Sequence, residues 1–148
     1  MIRKAVTDDE EAVRACAERA YGRHVATIGR KPAPMTADYA AQIASDQVYV
    51  AVNEAGTVEG FIVFCPKAGH MFLENVAVEP GASGRGIGKS LIRLCEAEAR
   101  RLGLHAVHLY TNEKMTDNLS IYPRLGYVEV ARRAESGFDR VYFEKVLA

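Results

Sequence analysis

Residues 2–6 at the start of the chain are predicted to form a short first strand, and a helical period of apolar residues follows it. Thr7 and Glu10 have the spacing of a capping box, which predicts that a helix begins there. We expect the helix to extend to about Tyr21, with Gly22 placed to end it. Its predicted apolar face consists of Val13, Cys16, Ala17 and Ala20.

The middle of the chain combines a loop, a short helix and three strands. Residues 23–35 contain two prolines and no hydrophobic period, which predicts a loop. A short helix is predicted over residues 36–45. Two strands joined by a tight turn, at 48–52 and 57–65, predict an antiparallel hairpin, which 70–78 extends into a meander.

The second half of the chain alternates helices and strands. A helix follows the glycines near residue 86, and Gly103 is expected to end it. Its predicted apolar face consists of Ile87, Leu91, Leu94, Cys95 and Leu102, and its polar face of Arg93, Glu96 and Arg100. The remaining predicted elements are a strand at 105–111, a helix near 116–125 and a terminal pair of strands at 127–134 and 140–147. The order β-α-α-β-β-β-α-β-α-β-β indicates a mixed α/β chain of the α+β class, in which a meander and one strand-helix-strand crossover share a sheet.

Length and composition narrow the class of protein. The 148 residues suit a single domain, 1–148. The 19 basic and 19 acidic residues cancel, which argues against a nucleic-acid or anionic-membrane partner. Cys16, Cys65 and Cys95 lack CxxC spacing, so we interpret them as reduced thiols in the core. Because no segment resembles a signal peptide or a membrane span, we expect a soluble, cytoplasmic protein.

The segment GASGRGIGKS, residues 81–90, is rich in glycine and leads into a predicted helix. Such a helix start offers unpaired backbone N–H groups and the positive end of the helix dipole to an anion. We interpret it as a diphosphate-binding loop, and a loop that merely turns is the alternative. It differs from a P-loop because Ser83 stands where the first glycine belongs, and a hairpin meander precedes it. It also differs from the dinucleotide-binding fingerprint, since Lys89 occupies the third glycine position.

Two motifs resemble those of the GCN5-related N-acetyltransferase (GNAT) family, and the resemblance covers most of the chain. The first is NVAVEP followed by the glycine loop, with Gly86 and Gly88 at the small positions of the family pattern Q/R-x-x-G-x-G/A. Ser83 departs from the usual Gln or Arg of that pattern. The resemblance implies a GNAT-type fold, with a central, mostly antiparallel twisted sheet of about seven strands flanked by helices. The second motif is NLSIYPRLGY, which matches the family's tyrosine helix at Tyr122, Arg124, Gly126 and Tyr127.

The resemblance implies acetyl-coenzyme A (acetyl-CoA) as the acyl donor, attacked directly at its thioester by an acceptor amine. It implies that a backbone N–H of the strand at 76–78 stabilises the thioester oxygen, and that Tyr122 gives a proton to the departing thiolate. A core tyrosine is the alternative for Tyr122. Asn118 lies on the same helix face and either contacts the pantetheine arm or caps its own helix. The residues expected to hold the coenzyme are Val76, Ala77, Val78, Ser83, Gly84, Arg85, Gly86, Ile87, Gly88, Lys89 and Asn118.

The candidate general base is Glu74. Strand alternation places it on the face of Val76 and Val78, and many relatives carry a glutamate there that acts through water. An exposed glutamate at a sheet edge is the alternative. Relatives that acetylate protein amino termini often have a second glutamate at the end of the strand at 105–111, where this chain has Tyr110.

The acceptor is expected to be a small-molecule or peptide amine, and the resemblance also implies a possible homodimer. The acceptor-binding segment in this fold follows the first helix. Its cations suit a carboxylate-bearing acceptor such as an amino acid, or equally a solvated loop. A coenzyme A sensor or partner-binding module that has lost turnover is the alternative function. The segment offers Arg23, His24, Arg30, Lys31 and Tyr39.

The four histidines do not predict a metal site. His105 and His108 are three residues apart on a strand and therefore point to opposite faces. His24 and His70 are interpreted as isolated. We expect no metal cofactor.

Overall fold

A computed structural model describes residues 1–147, apart from the side chain of Asp117. Seven strands form one sheet in the order β1-β2-β3-β4-β5-β7-β6. The pair of β4 with β5 is parallel and the other pairs are antiparallel. The mixed α+β class with a seven-stranded, mostly antiparallel sheet is confirmed. The strands are β1 (Ile2–Lys4), β2 (Val48–Val52), β3 (Val58–Pro66), β4 (His70–Val78), β5 (Ala106–Asn112), β6 (Val128–Glu135) and β7 (Phe138–Val146).

Five helices flank the sheet and bury its two faces. The predicted helices are found, with one further short helix in the segment predicted as a loop. None of the helices described for residues 1–147 combines the length and the apolar composition that a bilayer crossing requires. The helices are α1 (Glu10–Gly22), α2 (Val25–Ile28), α3 (Tyr39–Ala44), α4 (Ile87–Arg101) and α5 (Thr116–Arg124), with 3-10 turns at Thr7–Asp9, Ala33–Met35 and Pro80–Ala82.

Two apolar cores lie on opposite faces of the sheet. In the first, α1 and α3 pack on β2 and β3, with Val13 and Phe61 fully buried. In the second, α4 and α5 pack on β4, β5 and β7, with Leu91 and Leu109 buried. Cys16 and Cys95 are buried core residues as predicted, and Cys65 is partly exposed. The two cores pack on both faces of the sheet and therefore hold the central strands β4 and β5 in place.

The start of the first helix differs from the prediction. Thr7–Asp9 forms a 3-10 turn and α1 begins at Glu10. The Asp9 carboxylate accepts a hydrogen bond from the Val6 N–H (2.8 Å) and pairs with Arg3 (2.7 Å). The predicted Thr7–Glu10 capping box is wrong, because the carboxylate of Asp9 caps the turn and binds a cation on β1 at the same time.

The faces of α4 also differ from the prediction at two positions. Glu96, predicted on the polar face, is buried, where it accepts hydrogen bonds from the Tyr127 hydroxyl (2.8 Å) and Lys145 Nζ (3.0 Å). Leu102, predicted on the apolar face, is 45% exposed because the helix ends at Arg101. The buried face consists of Leu91, Ile92, Cys95, Glu96 and Ala99.

An irregularity in β4 interrupts the strand alternation. Val63 of β3 pairs with Asn75 and Phe64 pairs with Leu73, so Glu74 is an extra residue in β4. Leu73 packs in the second core, whereas Asn75 hydrogen-bonds to side chains of α1 and α3. The bulge therefore reverses which side chains of β4 face each side of the sheet after Glu74.

The parallel strands β4 and β5 diverge along their length. Their pairing covers 70–72 of β4 and 106–108 of β5. Within the described chain, the edge of β4 that faces β5 has no strand partner over residues 74–78. A gap therefore opens between the carboxyl-terminal halves of the two strands.

Candidate active site

Two cavities of ≈330 Å³ each meet in the gap between β4 and β5. The loop cavity extends towards the glycine loop and is lined by Val78 and Ser83. The hairpin cavity extends towards the turn between β6 and β7 and is lined by Phe138 and Arg140. Ligands bound in the two cavities would therefore meet beside the residues that line both cavities. These are Tyr21, Val76, Met115, Asn118 and Tyr122.

The glycine loop at the outer end of the loop cavity presents backbone donors. Gly84 and Gly86 have φ values of +82° and +77°, a left-handed conformation that glycine adopts without strain. Gly86 is the N-cap of α4, which begins at Ile87. Among residues 1–147, no acceptor is found for the backbone N–H groups of residues 84–89. These groups can bind anionic oxygens together with the positive end of α4.

The side chains of the loop are engaged elsewhere. Arg85 pairs with Glu59 on β3, and the Ser83 hydroxyl donates to the Pro80 carbonyl (2.9 Å). Lys89 is exposed on α4, and Gly88 lies beside Val78. The side chains of Ser83 and Arg85 are therefore already engaged within the protein, whereas the main-chain donors of residues 84–89 have no acceptor among the described residues.

Val76 lies where the two cavities meet. Its side chain packs against the second core, and its carbonyl accepts a hydrogen bond from the buried Tyr21 hydroxyl (2.8 Å). Ala77 packs in the first core. The three predicted residues Val76, Ala77 and Val78 all line the loop cavity, at the strand edge that β5 leaves uncovered.

Tyr122 lies on α5 and lines both cavities. Its ring is 6% exposed and packs edge-on against Tyr127 (centroids 5.8 Å apart) and tilted on Phe143 (5.7 Å). No hydrogen bond of its hydroxyl is found among the described residues. Burial raises the pKa of the Tyr122 phenol above its ordinary value, so the phenol keeps its proton at neutral pH.

Asn118 lies one helical turn before Tyr122. Its side-chain amide donates to Thr111 Oγ1 (3.1 Å) on β5, and the residue lines both cavities. The N-cap of α5 is Met115. The interpretation of Asn118 as the cap of its own helix is therefore wrong, because its amide binds the neighbouring strand instead.

Glu74 lies in the hairpin cavity. Its carboxylate accepts a hydrogen bond from Gln42 Nε2 on α3. The prediction that Glu74 shares a face with Val76 and Val78 is wrong, because the bulge adds one residue at Glu74 and reverses the alternation after it. Gln42 Oε1 is buried and has no hydrogen-bond partner among the described residues.

A hydrogen-bonded chain beside Glu74 was not predicted from the sequence. Asn75 Oδ1 lies 2.6 Å from the Tyr21 hydroxyl, and Asn75 Nδ2 donates to the Tyr39 hydroxyl (2.8 Å). The Tyr39 hydroxyl donates in turn to the Pro34 carbonyl. The polar Asn75 within a largely apolar strand is the sequence signal that could have indicated this network. It connects the bulge to α1, α3 and the loop between them.

The predicted acceptor residues separate in the structure. Arg23 and His24 line the loop cavity, whereas Tyr39 is buried in the first core. The Arg30 guanidinium lies 4.4 Å from the centre of the Phe138 ring at the entrance to the hairpin cavity. Lys31 is exposed. Sequence reasoning missed Arg140, which comes from β7 rather than from the segment after α1.

The histidines form a surface pair. His70 stacks on His108 with 4.0 Å between ring centres, and His108 Nε2 lies 2.6 Å from Glu144 Oε2. The interpretation of His70 as isolated is wrong, because β4 and β5 pair at this point. In the part of the chain that the structure describes, no three His, Cys, Asp or Glu side chains converge as metal ligands do.

Comparison with known proteins identifies the family. The family model described as "Acetyltransferase (GNAT) family" matches residues 10–127. The chain belongs to the GNAT acetyltransferase family. Its fold is shared by the PaiA N-acetyltransferase of Thermoplasma acidophilum in complex with coenzyme A, with a TM-score of 0.84 and 20% identity over 99% of this chain and 98% of that one. A GNAT acetyltransferase of Staphylococcus aureus Mu50 has a TM-score of 0.83 at 15% identity, over 100% and 99% of the two chains.

Two curated relatives of this GNAT chain are similar in sequence. The mycothiol acetyltransferase of Arthrobacter sp. (strain FB24) is 34% identical over 131 residues, which are 80% of this chain and 39% of the relative. The glucosamine 6-phosphate N-acetyltransferase 1 of Oryza sativa subsp. japonica is 31% identical over 100 residues, which are 66% and 58% of the two chains. The chain thus spans well under two thirds of the length of these relatives.

Proposed function

We propose that this protein transfers the acetyl group of acetyl-CoA directly to a primary amine of a small molecule or peptide, and that residues 1–148 form one catalytic domain. The observation that carries the proposal is the meeting of two cavities beside Val76 and Tyr122. Direct transfer needs both substrates in contact at one point. The loop cavity suits the donor, and the hairpin cavity suits the acceptor.

The residues around the loop cavity fit a coenzyme A molecule. The backbone N–H groups of residues 84–89 would hold its diphosphate, since they lack partners among the described residues and lie at the start of α4. The uncovered edge of β4 at Val76–Val78 would hold the pantetheine arm, together with Asn118. Bound acetyl-CoA supplies a thioester, which an amine can attack without a covalent enzyme intermediate.

The residues at the junction, where the two cavities meet, would stabilise the developing negative charge and transfer protons during the reaction. As the new C–N bond forms and the C–S bond breaks, a main-chain N–H of Val76 would stabilise the negative thioester oxygen. Tyr122 would donate its hydrogen bond, and then its proton, to the departing sulfur, and the phenolate would be restored by the second proton that the nitrogen loses as the amide forms. The buried phenol is protonated at neutral pH, and no acceptor for its hydroxyl is found among the described residues, so its proton is available for the sulfur.

Glu74 would receive the proton that the acceptor ammonium must lose before attack. An alkyl amine is mostly protonated at neutral pH, so a base is required. Glu74 lines the acceptor side of the junction, where its carboxylate is oriented by Gln42. A carboxylate in this position can take the proton directly or through one water molecule.

The experiment measures thiol release from acetyl-CoA with a panel of amines, in the wild type and in Tyr122→Phe. The panel includes amino acids and glucosamine 6-phosphate, which the name of the rice relative specifies. We expect the wild type to release thiol with at least one amine. The kcat of Tyr122→Phe should be lower by a factor of about 100 or more, because the proton donor is lost. The thermal shift with acetyl-CoA should remain, since the ring is kept.

Tyr127→Phe is the matched control. Tyr127 belongs to the same motif, but its hydroxyl donates to Glu96 in the second core and it lines neither cavity. We expect this variant to be less stable and to keep its kcat. The proposal is wrong if no amine in the panel releases thiol, or if the two variants have the same kcat.

A further inference from the structure

The hairpin cavity is lined by side chains of opposite charge that come from two different strands. Glu74 of β4 contributes a carboxylate, and Arg140 of β7 contributes a guanidinium. We infer that the acceptor is a small primary amine that also carries an anionic group, a carboxylate or a phosphate, which Arg140 binds. This inference rests on the proposed function, because it names the substrate class of the proposed acetyl transfer.

Arg140 is built into the cavity wall and is not a solvated surface cation. Its side chain is only 13% exposed, and its guanidinium carbon lies 4.3 Å from the centre of the Tyr110 ring. Stacking on an aromatic face orients the guanidinium plane and leaves its edge for hydrogen bonds. Arg140 is therefore held in place before a ligand binds.

The protein neutralises Arg140 only in part. Arg140 Nη1 lies 3.5 Å from Glu135 Oε2, which is longer than the roughly 2.7–2.9 Å of a charge-assisted hydrogen bond. The Glu135 side chain is 39% exposed and also accepts a hydrogen bond from the Tyr142 hydroxyl. A guanidinium has five N–H donors, so donors remain for a planar carboxylate or a phosphate.

The end of the cavity near Glu74 suits an amine. Glu74 contributes a carboxylate there, and Gln42 beside it has a buried Oε1 without a partner among the described residues. A buried amide oxygen normally accepts a hydrogen bond, so an unpaired one marks a place for a donor. An N–H group of the acceptor amine would donate a hydrogen bond to Gln42 Oε1, which would place the amine close to the Glu74 carboxylate. The amine therefore belongs at this end and the anionic group at Arg140.

The size and cover of the cavity limit the acceptor to a small molecule. A volume of ≈330 Å³ lies at the lower end of the range for small-ligand sites. The segment after α1 contributes Pro32 and Pro34 to its lining, and the β6–β7 hairpin contributes Phe138, so these are its two covering segments. Arg30 connects the two segments, since its guanidinium stacks on Phe138 and lies against the backbone at Gly137. This cover restricts the entry of a folded protein chain.

The test uses pairs of acceptors that differ only in the anionic group. The carboxylate pair is an amino acid and its amide, and the phosphate pair is glucosamine 6-phosphate and glucosamine. We expect kcat/KM to be about 100-fold higher for the anionic member of at least one pair. Arg140→Gln should remove this preference by raising the KM of the anionic member, and the acetyl-CoA thermal shift reports whether the variant is folded.

Two further variants separate charge, shape and folding. Arg140→Lys keeps the charge but loses the planar fork, so we expect it to recover only part of the preference. Arg133→Gln is the matched control, because Arg133 stacks on Tyr142 (4.9 Å) on the same hairpin and lines neither cavity. It should retain the full preference. If Arg140→Gln does not show the acetyl-CoA thermal shift, the Arg140→Lys variant decides the result.

The outcomes distinguish the inference from the function it rests on. A preference in the carboxylate pair alone or the phosphate pair alone supports the inference and identifies the anion. Equal kcat/KM within both pairs, or an unchanged preference in the folded Arg140 variants, overturns the inference and leaves acetyl transfer standing. The absence of thiol release with every amine overturns the proposed function and this inference with it.

Discussion

Gly60 lies in β3 opposite Val78, directly beneath the first turns of α4, where an added methyl group has no room. A Cβ at this position would lie 2.9 Å from the Ala77 carbonyl oxygen, 3.2 Å from Ile87 Cγ2 and 3.4 Å from Leu91 Cδ1. The nearest of these atoms belongs to the backbone, so a change of rotamer cannot remove the contact. Replacement by alanine must therefore move β4, α4 or both.

Two opposing terms determine the size of the effect. Overpacking a core costs about 1–3 kcal/mol. Replacing glycine by alanine within a strand returns roughly 0.5–1 kcal/mol, because the unfolded chain loses conformational freedom. Because the nearest contact is to the backbone, the cost lies in the upper part of that range, about 2–3 kcal/mol, and the net expectation for Gly60→Ala is a loss of about 1–2.5 kcal/mol. Such a loss lowers the melting temperature by roughly 2–10 °C in a chain of this length. Because Ala77 and Ile87 flank the proposed coenzyme site, we also expect weaker binding of acetyl-CoA.

The assay compares thermal and urea unfolding of Gly60→Ala with that of Gly22→Ala. Gly22 is the last residue of α1, and no atom lies within 4 Å of the Cβ that alanine would add. We expect this control to be as stable as the wild type or up to about 1 kcal/mol more stable. If Gly60→Ala unfolds at the same temperature as the control or above it, the reasoning from contacts is refuted.

Two further predictions concern ionised side chains. The hydrogen bond from Arg3 lowers the pKa of the Asp9 carboxyl in the folded protein. The stabilisation that this pair gives the folded state is therefore complete above the pKa that Asp9 has in the unfolded chain. It is lost as the pH falls through the lower pKa that Asp9 has in the folded protein. Asp9→Asn should therefore cost about 1 kcal/mol at pH 7 and lose less stability than the wild type between pH 5 and 2, measured by urea unfolding. Glu74→Gln should lower kcat/KM about 100-fold for an alkyl amine and far less for an amine already unprotonated at neutral pH. Equal losses with both amines would show that Glu74 is not the base.

The elements of the fold follow from patterns within short segments of the chain. Periods of two and of 3.6 residues located β4 and α4 along the chain, although the bulge at Glu74 interrupts the period in β4. The errors occur where a distant residue decides. Glu96 is buried because Tyr127 and Lys145 supply its hydrogen bonds, and these partners are 31 and 49 residues away. No local pattern records such a partner.

The candidate site shows the same division between local and distant determinants. Tyr122 and the glycine loop belong to contiguous motifs, and both line or adjoin the loop cavity as the motifs suggest. Arg140 belongs to no motif of the sequence, and it reaches the hairpin cavity only because β7 pairs with β5 along its whole length. A search for acceptor residues confined to the segment after α1 could not find it.

The bulge at Glu74 connects these local and distant features, because it places two successive polar residues on the side of α1 and α3. Glu74 contacts α3 through Gln42, and Asn75 contacts α1 through the Tyr21 hydroxyl. The Tyr21 hydroxyl also donates to the carbonyl oxygen of Val76, which is the residue after Glu74 and Asn75. One extra residue in β4 thus fixes the candidate base, the edge of the strand and the two covering helices relative to one another. Without the extra residue, Asn75 would follow the alternation set by Leu73 and face the second core, away from Tyr21 and Tyr39. The bulge is therefore the feature on which the geometry between the two cavities depends.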